Sequence, residues 1–359
     1  MTTEPSPRLS KLDRLLPVWI GVAMALGLVL GRVFPDLDDQ LDEVKIDTVS
    51  LPIAIGLLLM MYPVLAKVKY GSLGTVITDR RSVITALAIT WLGGPALMFT
   101  LAWLTLPDLP EYRTGLIIVG IAPCIAMVLI WIDLARGDRE LAAVLVAINS
   151  LIQIVAFSLL GYFYLELLPG WLGLDSEGID VTVWEIAKSV LIFLGVPLLA
   201  GFLTRTFLER AKGTEWYEQR FLKRMGPIAL YGLLFTIVLL FALQGERITD
   251  QPLDVARIAL PLLAYFAIMW STTFFVGRRM GLSYERDTTI AFTAAGNNFE
   301  LAIAVSIAVF GVSSGQALAG VVGPLIEVPA LVGLVYVAHR LHRTYERPER
   351  NPSGSSEHT

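Results

Sequence analysis

Histidine and cysteine are nearly absent from this 359-residue chain. The three histidines, His339, His342 and His358, lie at or beyond the end of the last apolar run, and the one cysteine is Cys124. A single cysteine excludes an intramolecular disulfide and a multi-cysteine metal cage within one chain. Because no histidine precedes residue 339, proton chemistry inside the apolar part of the chain must use carboxylates, the thiol or tyrosine.

Charge is also scarce. Only 17% of the residues are charged and 55% are hydrophobic, whereas soluble domains carry about 25% charged residues. This composition predicts a polytopic protein of the lipid bilayer. The chain has no nucleotide-binding GxxxxGK[ST] and no His-rich metal motif, and we predict no cofactor, no fixed metal site, no nucleic-acid partner and no obligatory protein partner.

Ten apolar runs are long enough to cross a bilayer as helices, which takes about 17 to 25 residues. They fall near 15–34, 49–68, 82–106, 113–134, 139–168, 183–208, 226–245, 255–280, 286–311 and 316–340. An even number of spans puts both termini on one side. The N-terminal segment, the links after spans 2, 4, 6 and 8 and the tail carry 22 of the 28 Lys and Arg residues, so that side is predicted to be cytoplasmic. The termini, residues 1–14 and 341–359, are expected to be a disordered segment and a cytoplasmic tail.

The chain also repeats itself at an offset of 174 residues. Gly21 falls on Gly195, Gly137 on Gly311, and LIQI at 151–154 on LIEV at 325–328. The fold predicted is all-α, with five-span repeats at 15–168 and 183–340 joined by an extracytoplasmic linker at 169–182. Because five is odd, the halves enter the membrane from opposite sides, which makes the repeat inverted. Transporters of this kind place the substrate near the midplane, between interrupted helices.

A polar segment, GNNFE at 296–300, interrupts span 9. Such groups are costly at membrane depth unless they face a cavity or protein partners. The 174-residue offset sets this segment opposite residues 122–124, where Pro123 disfavours helix at its own position and at the preceding residue. We therefore predict that the helices of spans 4 and 9 are broken and cross near the midplane.

Cys124 has two interpretations. Free cysteine is commonly a small, inert core residue. Alternatively, Pro123 opens a second half-helix and Cys124 lies in its first turn, where the thiolate is favoured.

Glu327 lies between two prolines deep in span 10, a depth at which ionisable residues are rare and usually functional. We predict that it binds protons reversibly; Gln153 is its neutral repeat mate. Glu300 either stabilises the start of a half-helix or contacts substrate. Asn297 and Asn298 either satisfy opened backbone groups or bind a hydroxylated substrate. Gly296, Pro123, Asn149 and Gln153 are supporting candidates.

Three segments resemble the ten-helix arsenite efflux permeases of arsenical resistance, which belong to the superfamily of the bile acid:sodium symporters. They are PCIAMVLIWIDLARGD at 123–138, NNFELAIAVSIAVFG at 297–311 and GPLIEVP at 323–329. The resemblance implies export of trivalent arsenic, in some members also antimonite, driven by proton entry. It matches the important cysteine of that family to Cys124 and its important glutamate to Glu327. Many members carry asparagine at Ile132 and arginine at Pro123, although proline also occurs there.

The resulting hypothesis is an arsenite/proton antiporter of the cell (cytoplasmic) membrane, not an enzyme, in which Cys124 contacts arsenic and Asn297, Asn298 and Glu300 shape the site. One alternative is a sodium-coupled symporter of an organic anion, whose ion sites would need several oxygen ligands. Another is an intramembrane hydrolase, which would need Glu300 and Glu327 as a paired dyad.

Overall fold

The computed structural model describes residues 16–34, 37, 41, 45–46, 49–68, 80–174 and 182–345. The predicted disordered N-terminus, residues 175–181 of the predicted linker and residues 346–359 of the predicted tail lie outside this range. The helices are α1 (Leu16–Val33), α2 (Leu51–Ala66), α3 (Arg80–Thr105), α4 (Pro110–Gly120), α5 (Val128–Leu134), α6 (Arg139–Leu172), α7 (Val183–Lys212), α8 (Leu222–Asp250), α9 (Pro252–Arg279), α10 (Tyr284–Ala295), α11 (Phe299–Phe310) and α12 (Gly315–Tyr345). A short helix at Thr214–Trp216 and a π turn at Tyr217–Phe221 lead into α8.

Within the part of the chain that the structure describes, six helical segments are long and apolar enough to cross a membrane: α3, α6, α7, α9, α12 and Thr214–Gly245. Parts of α1, α2 and α11 are apolar but shorter. Large apolar side chains on these helices point outwards, including Leu92 at 69% exposure and Val155 at 64%. Exposed apolar surface on this scale indicates contact with lipid rather than water. The chain is therefore a helical, multi-pass membrane protein.

One small hairpin departs from the all-α prediction. Strands β1 (Lys45–Ile46) and β2 (Val49–Ser50) pair antiparallel, with Lys45 opposite Ser50. Strands of two residues are too short to leave an alternating pattern in the sequence.

Two predicted boundaries are also displaced. The helix α6 ends at Leu172 rather than near 168. The helix α12 continues to Tyr345, five residues beyond the predicted end of span 10. The physical reason is packing at the last turn, because the Tyr345 ring contacts Tyr284 and Phe274 and its hydroxyl hydrogen-bonds Asp287.

Three long helices contain a π turn at a position that proline explains. These turns, Ile89–Gly93, Phe163–Leu167 and Leu191–Gly195, each end two residues before a proline. A proline inside a helix has no N–H to donate and crowds the carbonyl four residues back. A wider turn relieves that clash without ending the helix.

The helices form two packed groups. In the first, α8 packs against α1 and α2, and the second half of α7 packs against α2. In the second, α9 packs against α3, α10 and α12, and α4 packs against α3 and α12. The same group includes α5 and α6, which contact α10, and α11, which packs against α12. The first half of α7 contacts α6 and α11, so α7 joins the two groups.

Gly323 allows α12 to pack closely against α11. A Cβ atom at this position would lie 1.8 Å from Cε1 of Phe299, which is fully buried. We expect Gly323→Ala to destabilise the protein by about 1–3 kcal/mol, because the added methyl overpacks a filled site. Thermal unfolding in detergent would measure this as a lower midpoint.

The control is Gly333→Ala on the same helix, where the added Cβ meets nothing within 4 Å. Alanine has the higher helix propensity there, so its midpoint should be unchanged or higher. Equal midpoints for the two variants would contradict the packing role of Gly323.

Candidate functional site

Two helices are interrupted at the predicted places, between α4 and α5 and between α10 and α11. The interruptions hydrogen-bond to each other. The backbone N–H of Cys124 donates to the Gly296 carbonyl at 3.0 Å, and that of Asn298 donates to the Ala122 carbonyl at 2.6 Å. Buried backbone groups that a helix break leaves open need such partners, and here each break satisfies the other.

At the centre of this pairing, Pro123 lies opposite Asn297 in an isolated antiparallel bridge. We call this meeting of residues 122–124 with residues 296–298 the crossing. Pro123 has no N–H to donate, and the crossing does not need one, because on this segment its two bonds use the Cys124 N–H and the Ala122 carbonyl.

Cys124 is buried at the crossing, with 1% of its surface exposed. Its Sγ accepts a hydrogen bond from the Val128 N–H at 3.3 Å. A Cβ atom on Gly296 would lie 3.0 Å from Cβ of Cys124, so glycine permits the close approach. The prediction that Pro123 opens a half-helix with Cys124 in its first turn is wrong, because residues 122–124 are held in the crossing and α5 begins at Val128.

Gln153 and Asn298 continue the network behind the crossing. Gln153 Nε2 donates to the Pro123 carbonyl at 2.7 Å, and its Oε1 accepts from Asn298 Nδ2 at 3.3 Å. Asn298 Oδ1 in turn accepts from the Leu301 N–H at 3.1 Å and caps α11. The backbone groups at both ends determine the orientation of both amides.

We expect Gln153→Leu to cost about 1–3 kcal/mol of stability, because the Pro123 carbonyl and the Asn298 amide lose a buried partner. Thermal unfolding in detergent would again be the measurement. Val155→Ala, at an exposed position on the same helix, is the control and should shift the midpoint little. Equal unfolding midpoints for Gln153→Leu and Val155→Ala would show that the network has no structural role.

Asn297 is fixed by different neighbours. Its Nδ2 donates to the Val119 carbonyl at 3.0 Å and lies 3.4 Å from the Tyr265 hydroxyl, while its Oδ1 is buried without a hydrogen-bond partner. Tyr265, on α9, was missed by sequence reasoning. A tyrosine in the middle of an apolar span was the one indication available.

Two carboxyl groups lie beside the crossing. Glu327 is 1% exposed, and its Oε1 has no hydrogen-bond partner. It interacts electrostatically with Glu300 and Cys124, and its carboxyl group is within hydrogen-bonding reach of the Asn297 backbone. Glu300 lies in the first turn of α11, as predicted. Glu300 and Glu327 thus approach the thiol from two different helices.

Asn149 lies one turn before Gln153 on α6. Its Oδ1 accepts a hydrogen bond from Trp91 Nε1 at 3.0 Å, and its Nδ2 is buried without a partner. Asn149 therefore presents an unused donor, whereas Asn297 presents an unused acceptor.

A cavity of about 280 Å³ lies between the two helix groups, with walls from α2 and α8 on one side and α5, α6 and α11 on the other. Glu300 lines it, together with Ile125 and Met127 from the segment after Cys124. Cys124, Asn297 and Asn298 are buried and are not part of its wall. Among the predicted substrate contacts, only Glu300 therefore reaches the cavity in this conformation. Within the described ranges, no three His, Cys, Asp or Glu side chains cluster as a metal site would require.

A multi-pass helical protein in which two broken helices meet in a buried polar crossing beside a cavity has the architecture of a membrane transporter. The model of the sodium bile acid symporter family matches residues 54–251, and the chain belongs to this family.

Relatives of known name match nearly the whole chain. The arsenical-resistance protein Acr3 of Corynebacterium glutamicum is 55% identical over 335 residues, covering 93% of this chain and 90% of the relative. An uncharacterized transporter, slr0944, of a Synechocystis species is 36% identical over 95% of this chain and 92% of its own. The arsenical-resistance protein Acr3 of Alkaliphilus metalliredigens is 30% identical over 94% of this chain and 95% of its own. These matches confirm the family resemblance inferred from the three motifs. They also agree with the prediction of a transporter rather than an enzyme.

Proposed function

We propose that this protein exports trivalent arsenic from the cell in exchange for protons. Two relatives that match more than nine tenths of the chain carry the arsenical-resistance name. The observation that carries the proposal is the position of Cys124, whose buried thiol lies in the crossing with Glu300 and Glu327 in electrostatic contact.

The chemistry of the cargo suits this site. Arsenous acid, As(OH)3, is small, neutral near pH 7, rich in hydroxyls and thiophilic. The thiol condenses with it to form one S–As bond, and the thiol proton leaves with one hydroxyl as water; hydrolysis reverses the step. Three thiols would trap arsenic, whereas a single thiol allows release. Antimonite is hydroxylated and thiophilic in the same way and is a second expected cargo.

Proton coupling is assigned to Glu327. A buried carboxyl group with an unpartnered oxygen is costly when charged, so a proton or the cargo must compensate it. We propose that Glu327 holds a proton in one half of the cycle and loses it when cargo loads. Asn297, Asn298 and Glu300 shape the cargo site.

The proposed architecture is ten spans in two inverted repeats, residues 15–168 and 183–340, with the crossing near the midplane and both termini cytoplasmic. Three contacts support the repeat. Pro123 and Asn297, which bridge, are 174 residues apart, the offset of the sequence repeat. Gln153 contacts Pro123 across 30 residues, and Glu327 faces Asn297 across the same separation.

Proteoliposomes test the proposed function directly. We expect the purified protein to take up arsenite only when a pH gradient is imposed in the direction that drives protons out. An arsenite uptake rate that is the same with and without the pH gradient would contradict proton coupling. No arsenite uptake under any gradient would contradict arsenite as the cargo.

Sodium-coupled symport of an organic anion is the alternative within the family. The 55% identical relative and its more distant counterpart carry the arsenical-resistance name instead. Sodium-dependent thermal stabilisation that potassium does not reproduce would favour the alternative.

A further inference from the structure

The orientation of the Asn297 carboxamide is set by its neighbours. The Val119 carbonyl can only accept a hydrogen bond, so the amide nitrogen must face it, at 3.0 Å. The second N–H of the same nitrogen is directed to the Tyr265 hydroxyl, at 3.4 Å. Because both hydrogens are engaged, the group that Asn297 has left to offer is its carbonyl oxygen.

Tyr265 is itself held in place. It is 2% exposed, and its ring packs edge-on against Phe266. A side chain at Gly94 would bring a Cβ atom within 3.0 Å of the Tyr265 hydroxyl, so glycine there leaves room for the hydroxyl. The tyrosine is thus a rigid support for the Asn297 amide.

Two unpaired polar atoms near the crossing indicate what kind of ligand the site can bind. Asn297 Oδ1 and Glu327 Oε1 are both buried without a partner. Buried polar atoms in proteins are nearly always hydrogen-bonded, and leaving one unpaired is costly. An amide oxygen is an acceptor, as is an ionised carboxylate. Whatever completes this site must therefore bring hydrogen-bond donors.

We propose that Tyr265 is a positioning residue that presents Asn297 Oδ1 to the cargo, and that the site thereby selects neutral trivalent arsenic by its hydroxyl donors. This inference rests on the proposed function and specifies the form of the cargo. After condensation with the thiol, arsenous acid keeps two hydroxyls for this role. Monomethylarsonous acid keeps one and dimethylarsinous acid keeps none, although all three carry thiophilic arsenic.

The test compares transport of these three compounds in proteoliposomes. For the wild-type protein, KM should rise with each hydroxyl replaced by methyl. In Tyr265→Phe, KM for arsenous acid should rise about 3- to 10-fold, the effect of one hydrogen bond, while KM for dimethylarsinous acid stays unchanged. The matched control is Tyr164→Phe, a buried tyrosine that packs against Phe99 and Phe163, and it should keep the wild-type selectivity.

Other outcomes overturn the inference. If Tyr265→Phe keeps the wild-type order and ratios of KM, Tyr265 has no role in selectivity. If KM rises equally for all three compounds, the role of Tyr265 is structural only. If Tyr265→Phe does not elute as a folded protein in size-exclusion chromatography, Asn297→Ala is the second variant, because it removes the acceptor Oδ1 itself. Wild-type selectivity among the three compounds in Asn297→Ala would also overturn the inference. A wild-type protein that transports none of the three compounds refutes the proposed function itself.

Discussion

Replacing Cys124 with serine is expected to reduce arsenite transport to the level of protein-free liposomes. The serine hydroxyl can still accept the hydrogen bond that Sγ takes from the Val128 N–H, so the crossing should keep its structure. It cannot form the S–As bond, and the chain has no second thiol to replace it. The loss should therefore be complete, without a matching loss of stability.

Two measurements separate loss of the bond from loss of the fold. X-ray absorption on protein incubated with arsenite should show one sulfur neighbour on arsenic in the wild type and none in Cys124→Ser. Cys124→Ala should lose transport as well, and in addition some stability, because Val128 N–H loses its acceptor. Unchanged transport in either variant would remove the thiol from the mechanism.

Glu327→Gln is expected to abolish uptake driven by a pH gradient. Glutamine has nearly the same shape and can hydrogen-bond, as Gln153 does in the proposed mate of this position, but it cannot take up or release a proton near neutral pH. The charged form of a carboxyl buried to 1% exposure is also costly. The variant should therefore be at least as stable as the wild type.

Transport and proton movement should be followed together, with a pH-sensitive dye trapped inside the liposomes. Glu140→Gln is the control, since Glu140 is an exposed carboxylate in the first turn of α6, and it should behave as wild type. Full gradient-driven uptake by Glu327→Gln would refute its role as the proton carrier.

The breaks in the two central helices could be predicted from local sequence. A proline at 123 and a glycine followed by two asparagines at 296–298 are incompatible with an undisturbed apolar helix, whatever surrounds them. The offset of 174 residues also paired the correct segments, because Pro123 bridges Asn297. The start of α5 could not be predicted. The hydrogen bond that holds the Cys124 N–H in the crossing is accepted by the Gly296 carbonyl, which lies far along the chain.

The candidate site likewise has features that the sequence predicts and features that only the tertiary contacts determine. The membrane class and the candidacy of Cys124, Glu300 and Glu327 follow from composition, because a thiol or carboxyl group in an apolar span is conspicuous at any depth. The support from Tyr265 and the separation of Cys124 from the cavity do not follow from any local pattern. They depend on how α9 packs against the crossing and on where the two helix groups part, and these contacts join residues that the chain keeps far apart.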